Sequence, residues 1–148
     1  PNAHRMGTAM EILEDTGGDF DVLVAGVGTS GTLTGIASVL RTYNQDLYVA
    51  AVEPESSAVL SGESKGAHKI QGIGAGFVPP FYDKSLVNEK AIEMAKTVAK
   101  TEGLPIGVSG GAAIAAAAEL AKRDEFVNKR LVVILPDSVE RYLSTGYF

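Results

Sequence analysis

Residues 20–36, "FDVLVAGVGTSGTLTGI", decide the fold class, because a valine-rich apolar run passes through a tight turn into helix-compatible sequence. A near-continuous apolar run is typical of a strand that is buried on both faces of a parallel sheet. The glycines of the turn let backbone groups approach a ligand closely. Free N–H groups at the start of the following helix form a natural anion site. The segment therefore predicts a strand, a phosphate-binding turn and a helix.

The remainder of the chain repeats this alternation of strands and helices. We predict strands at 20–27, 47–54 and 130–138, the last including a turn, and helices at 4–15, 31–43, 89–102, 111–123 and in "VERYLST" (139–145). Seven prolines and glycines between 62 and 80 make residues 55–82 an irregular loop. Alternating strands and helices predict an α/β fold, a parallel open sheet with helices on both faces. The turns at 26–32, 106–111 and 135–138 are expected to meet beyond the carboxyl ends of the strands.

Composition excludes several classes of function. The net charge of −5 argues against a nucleic-acid partner, and the lack of cysteine excludes disulfides, zinc–thiolate sites and thiol nucleophiles. No apolar run is long enough to span a membrane, so we expect a cytoplasmic protein with no membrane partner. His4 and His68 have no second ligand at metal spacing, so no metal site is predicted, and His68 is expected to be structural.

The turn after the first strand admits three interpretations. It satisfies G-x-G-x-x-G, and Glu53 follows 22 residues beyond Gly31, which is the fingerprint of an NAD-binding Rossmann domain. Its hydroxyl groups favour a single terminal phosphate instead; they belong to Thr29, Ser30, Thr32 and Thr34. The third interpretation is a plain strand–helix turn that is capped by Ser30 or Thr32. The turn alone leaves all three open.

Five blocks in a fixed order resemble one enzyme family: "VAGVGTSGTLTGI", "VAAVEPESSAVLSG", "HKIQGIGAGFVP", "EGLPIGVSGGAA" and "VVILPDSVERYLSTGYF". They resemble the cysteine synthase (O-acetylserine sulfhydrylase) and cystathionine β-synthase family of pyridoxal-phosphate enzymes, in the fold group of tryptophan synthase β. The resemblance implies pyridoxal 5'-phosphate as cofactor and a transferase of cysteine biosynthesis that converts O-acetylserine and sulfide to cysteine and acetate. "LPDSV" leans towards the cystathionine β-synthase reaction with homocysteine. A non-catalytic fragment that acts only as an assembly partner is the further alternative.

The resemblance also implies roles for particular residues. The phosphate loop comprises Gly28, Thr29, Ser30, Gly31 and Thr32, and Ser30 stands where the family usually has glycine. Ser109 matches the serine that faces the pyridine nitrogen, although it is also suited to cap a helix that begins at Gly110 or Gly111. The residues beside the substrate are Gly72, Ile73, Gly74 and Ala75. Asp137 and Glu140 suit a capping box for the last helix, and Glu53 returns to a structural role at a strand end.

The Schiff-base lysine of the family has no counterpart here. In the family it lies in an N-terminal block, and Lys65, Lys69, Lys84 and Lys90 do not stand in a matching context. We therefore predict no catalytic residue in this chain and interpret 1–148 as the C-terminal part of the cofactor domain. The small domain and the lysine block would come from a complementary N-terminal chain or half. A homodimer, a small amino-acid substrate and a serine acetyltransferase partner are the other expectations that the resemblance carries.

Overall fold

The computed structural model of the protein describes residues 1–93, 106–142 and 144. Its helices and strands are, in chain order, α1 (Asn2–Met6), α2 (Thr8–Thr16), β1 (Val22–Gly26), α3 (Gly31–Tyr43), β2 (Tyr48–Pro54), β3 (Glu89–Glu93), α4 (Val108–Ala121) and β4 (Leu131–Val133). Short 3₁₀ turns lie at Glu55–Ser57, Val59–Ser61, Lys84–Leu86, Asp124–Phe126 and Val139–Tyr142.

The four described strands form one sheet in the order β3-β2-β1-β4, and every pair is parallel. Val22 of β1 is in register with Tyr48 of β2 on one side and with Leu131 of β4 on the other. Because the strands are parallel, their carboxyl ends lie along one edge. The turns that follow β1 and β4 and the start of α4 are therefore close together.

Helices cover both faces of the sheet. Leu23 and Ala25 of β1 pack towards one side, in a core shared with α2 and α3. Val22 and Val24 pack towards the opposite side, against α4 and Phe126. Successive side chains of a strand point to opposite faces, so a valine-rich central strand supplies both cores. This arrangement confirms the predicted α/β fold.

Most predicted elements are confirmed, with shifted ends. β1, β2 and α3 lie where the sequence predicts them, and the 55–82 loop contains only 3₁₀ turns. The helix at 4–15 is two helices that meet at Gly7, and α4 begins three residues before the predicted 111. The strand at 130–138 is confined to Leu131–Val133. Among the described helices none is long and apolar enough to cross a membrane.

The helix predicted at 89–102 is wrong in its first part, because Glu89–Glu93 is strand β3. A short segment of mixed polarity does not separate helix from strand by its pattern alone, and here pairing with β2 decides. Glu89 is held by a two-pronged ion pair from Arg123, with N–O distances of 2.5 and 2.7 Å, and by the Tyr48 hydroxyl at 2.7 Å. Residues 94–102 of the predicted helix, which include Ala95 and Ala99 of its core face, lie outside the described residues. The side chain of Ile92, the third residue of that face, is not described either.

The contacts around Glu89 also change the pKa values of Glu89 and Tyr48. The bonds from Arg123 lower the pKa of the Glu89 carboxyl. Burial, followed by the bond to Glu89, raises the pKa of Tyr48 to about 12. The ion pair therefore ties the edge strand β3 to the residues that follow α4, on the far side of the sheet from α3.

Candidate functional site

A cleft of about 530 Å³ opens at the carboxyl edge of the sheet. The three predicted turns form its walls, as parallel topology requires. Nine of the ten residues predicted to contact cofactor or substrate line it: Gly28, Thr29, Ser30, Gly31, Thr32, Gly72, Ile73, Ala75 and Ser109. Four separate blocks of sequence thus converge on one concave site.

The turn 28–32 presents the start of α3 to this cleft. The first backbone bond of the helix runs from the Thr34 N–H to the Ser30 carbonyl at 2.9 Å. The N–H groups of Gly31, Thr32 and Leu33 therefore have no acceptor within the helix. Together with the helix dipole they make the turn an anion site.

Ser30 has a left-handed backbone, with φ of 66°. That conformation suits glycine, and a serine that adopts it bears some strain. The Ser30 hydroxyl lies 3.0 Å from the Thr34 hydroxyl, which itself donates to the Phe81 carbonyl at 2.8 Å. Ser30 is therefore the donor to Thr34, and its hydrogen is not directed at a ligand. The third interpretation required the Ser30 or Thr32 hydroxyl to cap the start of α3. No side-chain hydrogen bond caps α3, so neither residue has that role.

The loop 72–76 folds directly over the phosphate turn. A Cβ atom on Gly28 would lie 2.2 Å from the Gly72 carbonyl oxygen, so only glycine allows this approach. The Gly74 N–H donates to the Val27 carbonyl at 2.9 Å and holds the loop in place. Gly74 itself does not line the cleft as predicted; its Cβ position faces Pro54 and His68.

His68 is structural, as predicted. Its Nε2 is hydrogen-bonded to the Gly74 carbonyl at 2.9 Å, which fixes the turn of the loop beside the cleft. Its other ring nitrogen is buried and has no partner among the described residues. The ring therefore supports the loop and does not face the cleft.

Ser109 lies in the first turn of α4, where it is buried and lines the cleft. The N-cap of α4 is Gly107, and the Gly111 N–H donates to its carbonyl at 3.0 Å. The alternative role of Ser109 as a cap is therefore wrong, because the helix begins at Val108 and not at Gly110 or Gly111. Its contact with a pyridine nitrogen stays a prediction.

Asp137 lines the cleft opposite the start of α4. Its Oδ2 accepts a hydrogen bond from the Tyr142 hydroxyl at 2.6 Å, and its Oδ1 is buried with no partner among the described residues. Glu140 accepts instead from the Ser138 hydroxyl. The predicted capping box is therefore wrong, because the Asp137 carboxylate is engaged by a side chain and faces Gly107.

Glu53 has a structural role at the end of β2. Its buried carboxylate accepts bonds from the Leu60 N–H at 2.8 Å, the Ser61 N–H at 2.9 Å and the Ser61 hydroxyl at 2.6 Å. These contacts secure the 3₁₀ turn 59–61. Glu53 is not among the residues that line the 530 Å³ cleft, so it is not placed to bind a ribose there.

Sequence reasoning missed Arg141, which lines the cleft and its extension beside Gln71 and Tyr142. It stands in the quoted block "ERYLST", but a single arginine in a short helix gives no signal of its direction. No lysine is among the described residues that line the cleft. Among these described residues there is also no cluster of three metal-ligating side chains.

Comparison with known proteins gives consistent matches. A family model described as "pyridoxal-phosphate dependent enzyme" matches residues 2–137. Cysteine synthase A of Escherichia coli K12 is 48% identical over an alignment of 163 residues, which covers all of this chain and 50% of that protein. The chain therefore spans about half the length of the curated relatives it matches.

Two solved structures share the fold closely. O-acetyl serine sulfhydrylase isoform 3 from Entamoeba histolytica has a TM-score of 0.90 and 47% identity, and the match covers 97% of this chain and 44% of that one. An O-acetylserine dependent cystathionine beta-synthase from Helicobacter pylori has a TM-score of 0.87 and 34% identity, covering 100% of this chain and 50% of that one.

Proposed function

Because the chain belongs to the pyridoxal-phosphate dependent enzyme family, we propose that its cleft binds pyridoxal 5'-phosphate for β-replacement on O-acetylserine. Sulfide would replace acetate, and the products would be cysteine and acetate. The observation that carries the proposal is the convergence of the phosphate turn, the loop 72–75 and Ser109 on one cleft. The similarity to cysteine synthase A supports the choice of reaction.

The residues of the cleft fit the cofactor. Three free N–H groups at the start of α3 and the hydroxyls of Thr29 and Thr32 would hold its phosphate. Gly28 has no side chain and packs against the Gly72 carbonyl, which brings the loop 72–76 next to the phosphate turn. Ser109 would face the ring nitrogen from the first turn of α4. The cleft volume is within the range of small-molecule sites.

The bound cofactor supplies an electron sink that allows the substrate to lose its leaving group. In this proposal, the residues of this chain hold the cofactor in position and set how strongly its ring withdraws electrons. The phosphate turn would fix its position. A neutral Ser109 hydroxyl would leave the ring nitrogen unprotonated, so the ring would withdraw electrons less strongly than it would beside a carboxylate. Gly72, Ile73 and Ala75 line the same cleft, where they would contact the substrate.

A complementary N-terminal half would supply the lysine that binds the cofactor aldehyde. Support for this comes from the lengths of the relatives, of which the chain covers about half, and from the absence of lysine among the described residues of the cleft. The domain assignment of 1–148 as the C-terminal part of the cofactor domain rests on the same observations. A homodimer and an acetyltransferase partner belong to this proposal as predictions.

The assembled enzyme tests the proposal. We expect it to retain a chromophore typical of bound pyridoxal phosphate and to form cysteine from O-acetylserine and sulfide. Ser109→Asp should change the absorbance of the bound cofactor and reduce turnover, whereas Ser109→Thr should preserve more of both. Retention of a nicotinamide dinucleotide in place of pyridoxal phosphate would refute the proposal and favour the Rossmann alternative.

The cystathionine β-synthase reaction is the second candidate. "LPDSV" (135–139) and the similarity to the Helicobacter pylori enzyme favour it. Both reactions use the same cofactor contacts, so the cleft described above serves either. Turnover with sulfide and with homocysteine, measured side by side with O-acetylserine, separates the two candidates.

A further inference from the structure

We propose that Arg141 binds the carboxylate of a thiol nucleophile, so that the site accepts a carboxylate-bearing thiol such as homocysteine as well as sulfide. This inference rests on the proposed function and names the chemical class of its second substrate. The thiol sulfur forms the new bond to the β-carbon, acetate leaves with the electron pair of the broken carbon–oxygen bond, and the thiol proton passes to solvent. Arg141 takes no part in these bond changes; it binds and orients the nucleophile.

The extension of the cleft provides space for such a nucleophile. It is a cavity of about 500 Å³ with walls formed by Gln71, Gly72, Asp137, Arg141 and Tyr142. Gly72, Asp137 and Arg141 also line the cleft itself, so the two spaces adjoin. Sulfide has one heavy atom and needs no extension. The additional space therefore suits a larger second substrate.

The guanidinium of Arg141 is available for a ligand. Its backbone N–H donates to the Ser138 carbonyl at 3.4 Å, but the exposed side chain has no hydrogen bond or ion pair among the described residues. A guanidinium presents five N–H donors in a fixed geometry that matches a carboxylate. The other four arginines each contact another side chain: Arg5 contacts Ser38, Arg41 contacts Asn88, Arg123 contacts Glu89 and Arg130 contacts Asp19.

The two acidic residues nearest to Arg141 in sequence are engaged elsewhere. Glu140 accepts a hydrogen bond from the Ser138 hydroxyl, and Asp137 accepts one from the Tyr142 hydroxyl at 2.6 Å. Neither carboxylate forms an ion pair with Arg141 in the described part of the chain. Arg141 is also the one cationic side chain among the described residues that line the cleft and its extension. In a chain of net charge −5, this unpaired cation attracts an anionic group to the site.

The turn that carries Arg141 is anchored to the rest of the site. Tyr142, the next residue, is buried and bonds to the Asp137 carboxylate. The Asp137 carbonyl accepts from the Gly107 N–H at 3.0 Å, which ties the turn to the start of α4. Arg141 therefore extends from a fixed backbone, so less conformational entropy is lost when its side chain binds a ligand.

The location of Arg141 identifies the anion that it meets. None of the phosphate-turn residues 28–32 lines the extension, so an anion in that cavity is not the cofactor phosphate. The remaining anionic groups of the two candidate reactions are the carboxylates of O-acetylserine and of an amino-acid thiol. O-acetylserine reacts at the cofactor, within the cleft. The extension beside the cleft is therefore the place for the carboxylate at the far end of the second substrate.

The first test compares two thiols in the assembled enzyme at saturating O-acetylserine. Homocysteamine is homocysteine without its carboxylate. Arg141→Met should raise the KM of homocysteine about tenfold, the lower end of the range for a hydrogen bond to a charged group, because the side chain is exposed. The kcat should change little, since the lost contact is present in both the ground state and the transition state. The KM values of homocysteamine, sulfide and O-acetylserine should change by less than about twofold.

Two control variants separate the bond from its charge. Arg141→Lys keeps the positive charge and should retain part of the affinity for homocysteine, without the two-pronged geometry. Lys122→Met removes an exposed positive charge from outside both cavities. It should leave all four KM values within about twofold of those of the unmodified enzyme.

Binding of the products provides a readout that is independent of turnover. Cystathionine, the product with homocysteine, retains the second carboxylate, whereas cysteine, the product with sulfide, lacks it. Isothermal titration calorimetry of the assembled enzyme measures both affinities. Arg141→Met should weaken cystathionine about tenfold and cysteine by less than about twofold.

The outcomes distinguish the two proposals. If the unmodified enzyme forms no product with any nucleophile, the proposed function fails, and the titration with cystathionine still tests Arg141. If the enzyme forms cysteine but rejects homocysteine, the role of Arg141 fails while the proposed function stands. The same holds if Arg141→Met leaves the affinity for cystathionine unchanged, or raises the KM of homocysteamine or O-acetylserine as much as that of homocysteine.

Discussion

Substitution of Gly28 by alanine should destabilise the fold by separating the loop 72–76 from the phosphate turn. The added Cβ would lie 2.2 Å from the Gly72 carbonyl oxygen and 3.3 Å from its carbon. A tolerable carbon–oxygen contact is about 3.3 Å, so the two backbones must separate by about 1 Å. One colliding atom is the Gly72 main-chain oxygen, and the other is the new Cβ, whose position is fixed by the backbone. No side-chain rotation can therefore relieve the contact.

The magnitude follows from what this separation breaks. Overpacking costs about 1–3 kcal/mol. A shift of about 1 Å would also break the bond from the Gly74 N–H to the Val27 carbonyl, now 2.9 Å, which contributes about 1 kcal/mol. We therefore expect Gly28→Ala to lower the free energy of unfolding by about 2–4 kcal/mol.

Gly111→Ala is the matched control. Gly28 is partly buried and Gly111 is buried, but Gly111 lies within α4, and a Cβ there meets nothing within 4 Å. Alanine in a helix interior should stabilise by about 0.5–1 kcal/mol. Urea unfolding of the enzyme with each substitution measures both effects. Equal stability of Gly28→Ala and the unmodified protein, or equal loss in the two variants, would refute the argument from close approach.

Three further predictions concern stability and its pH dependence. Glu53→Gln should cost about 2 kcal/mol in urea unfolding, because an amide NH₂ replaces one acceptor of the bonds that hold Ser61. The hydrogen bond from the Arg130 N–H lowers the pKa of Asp21 below its usual 3.8. The ionised Asp21 therefore stabilises the folded state above pH 3.8, and this stabilisation is lost as the pH falls further. Asp21→Asn should make the free energy of unfolding depend less on pH in the acid range. Burial raises the pKa of Tyr48 from 10.0 to about 12. The protonated hydroxyl therefore stabilises the folded state fully below pH 10.0, and this stabilisation is lost as the pH rises towards 12. Tyr48→Phe should remove the corresponding late step from the ultraviolet titration of tyrosinate.

The sequence predicts the centre of this fold well, because its strands are buried on both faces. A continuous valine-rich run such as β1 is typical of a strand that is buried on both faces of a parallel sheet. β3 could not be predicted in the same way. Its residues are mixed in polarity, and it is held by pairing with β2 and by Arg123, which binds Glu89 from 34 residues away. Contacts of such separation leave no local pattern.

The candidate site shows the same division. Glycines and hydroxyls close together in sequence predict the phosphate turn, and parallel topology brings Ser109 and the loop 72–75 to it. The direction in which a side chain faces was not predictable. Gly74 packs against Pro54 and His68 and does not line the cleft, whereas Arg141 does, because tertiary packing and not sequence spacing places them.

The three interpretations of the phosphate turn differ in where they need polar groups. A dinucleotide site needs an acid at the end of β2 that faces the ligand, and Glu53 is instead buried against the turn 59–61. A plain capped turn needs a hydroxyl bonded to the first N–H groups of α3, and α3 has none. A single phosphate needs those N–H groups free and hydroxyl hydrogens directed outward. The free amides are present at the start of α3, and the hydroxyl-bearing residues Thr29 and Thr32 line the cleft beside them.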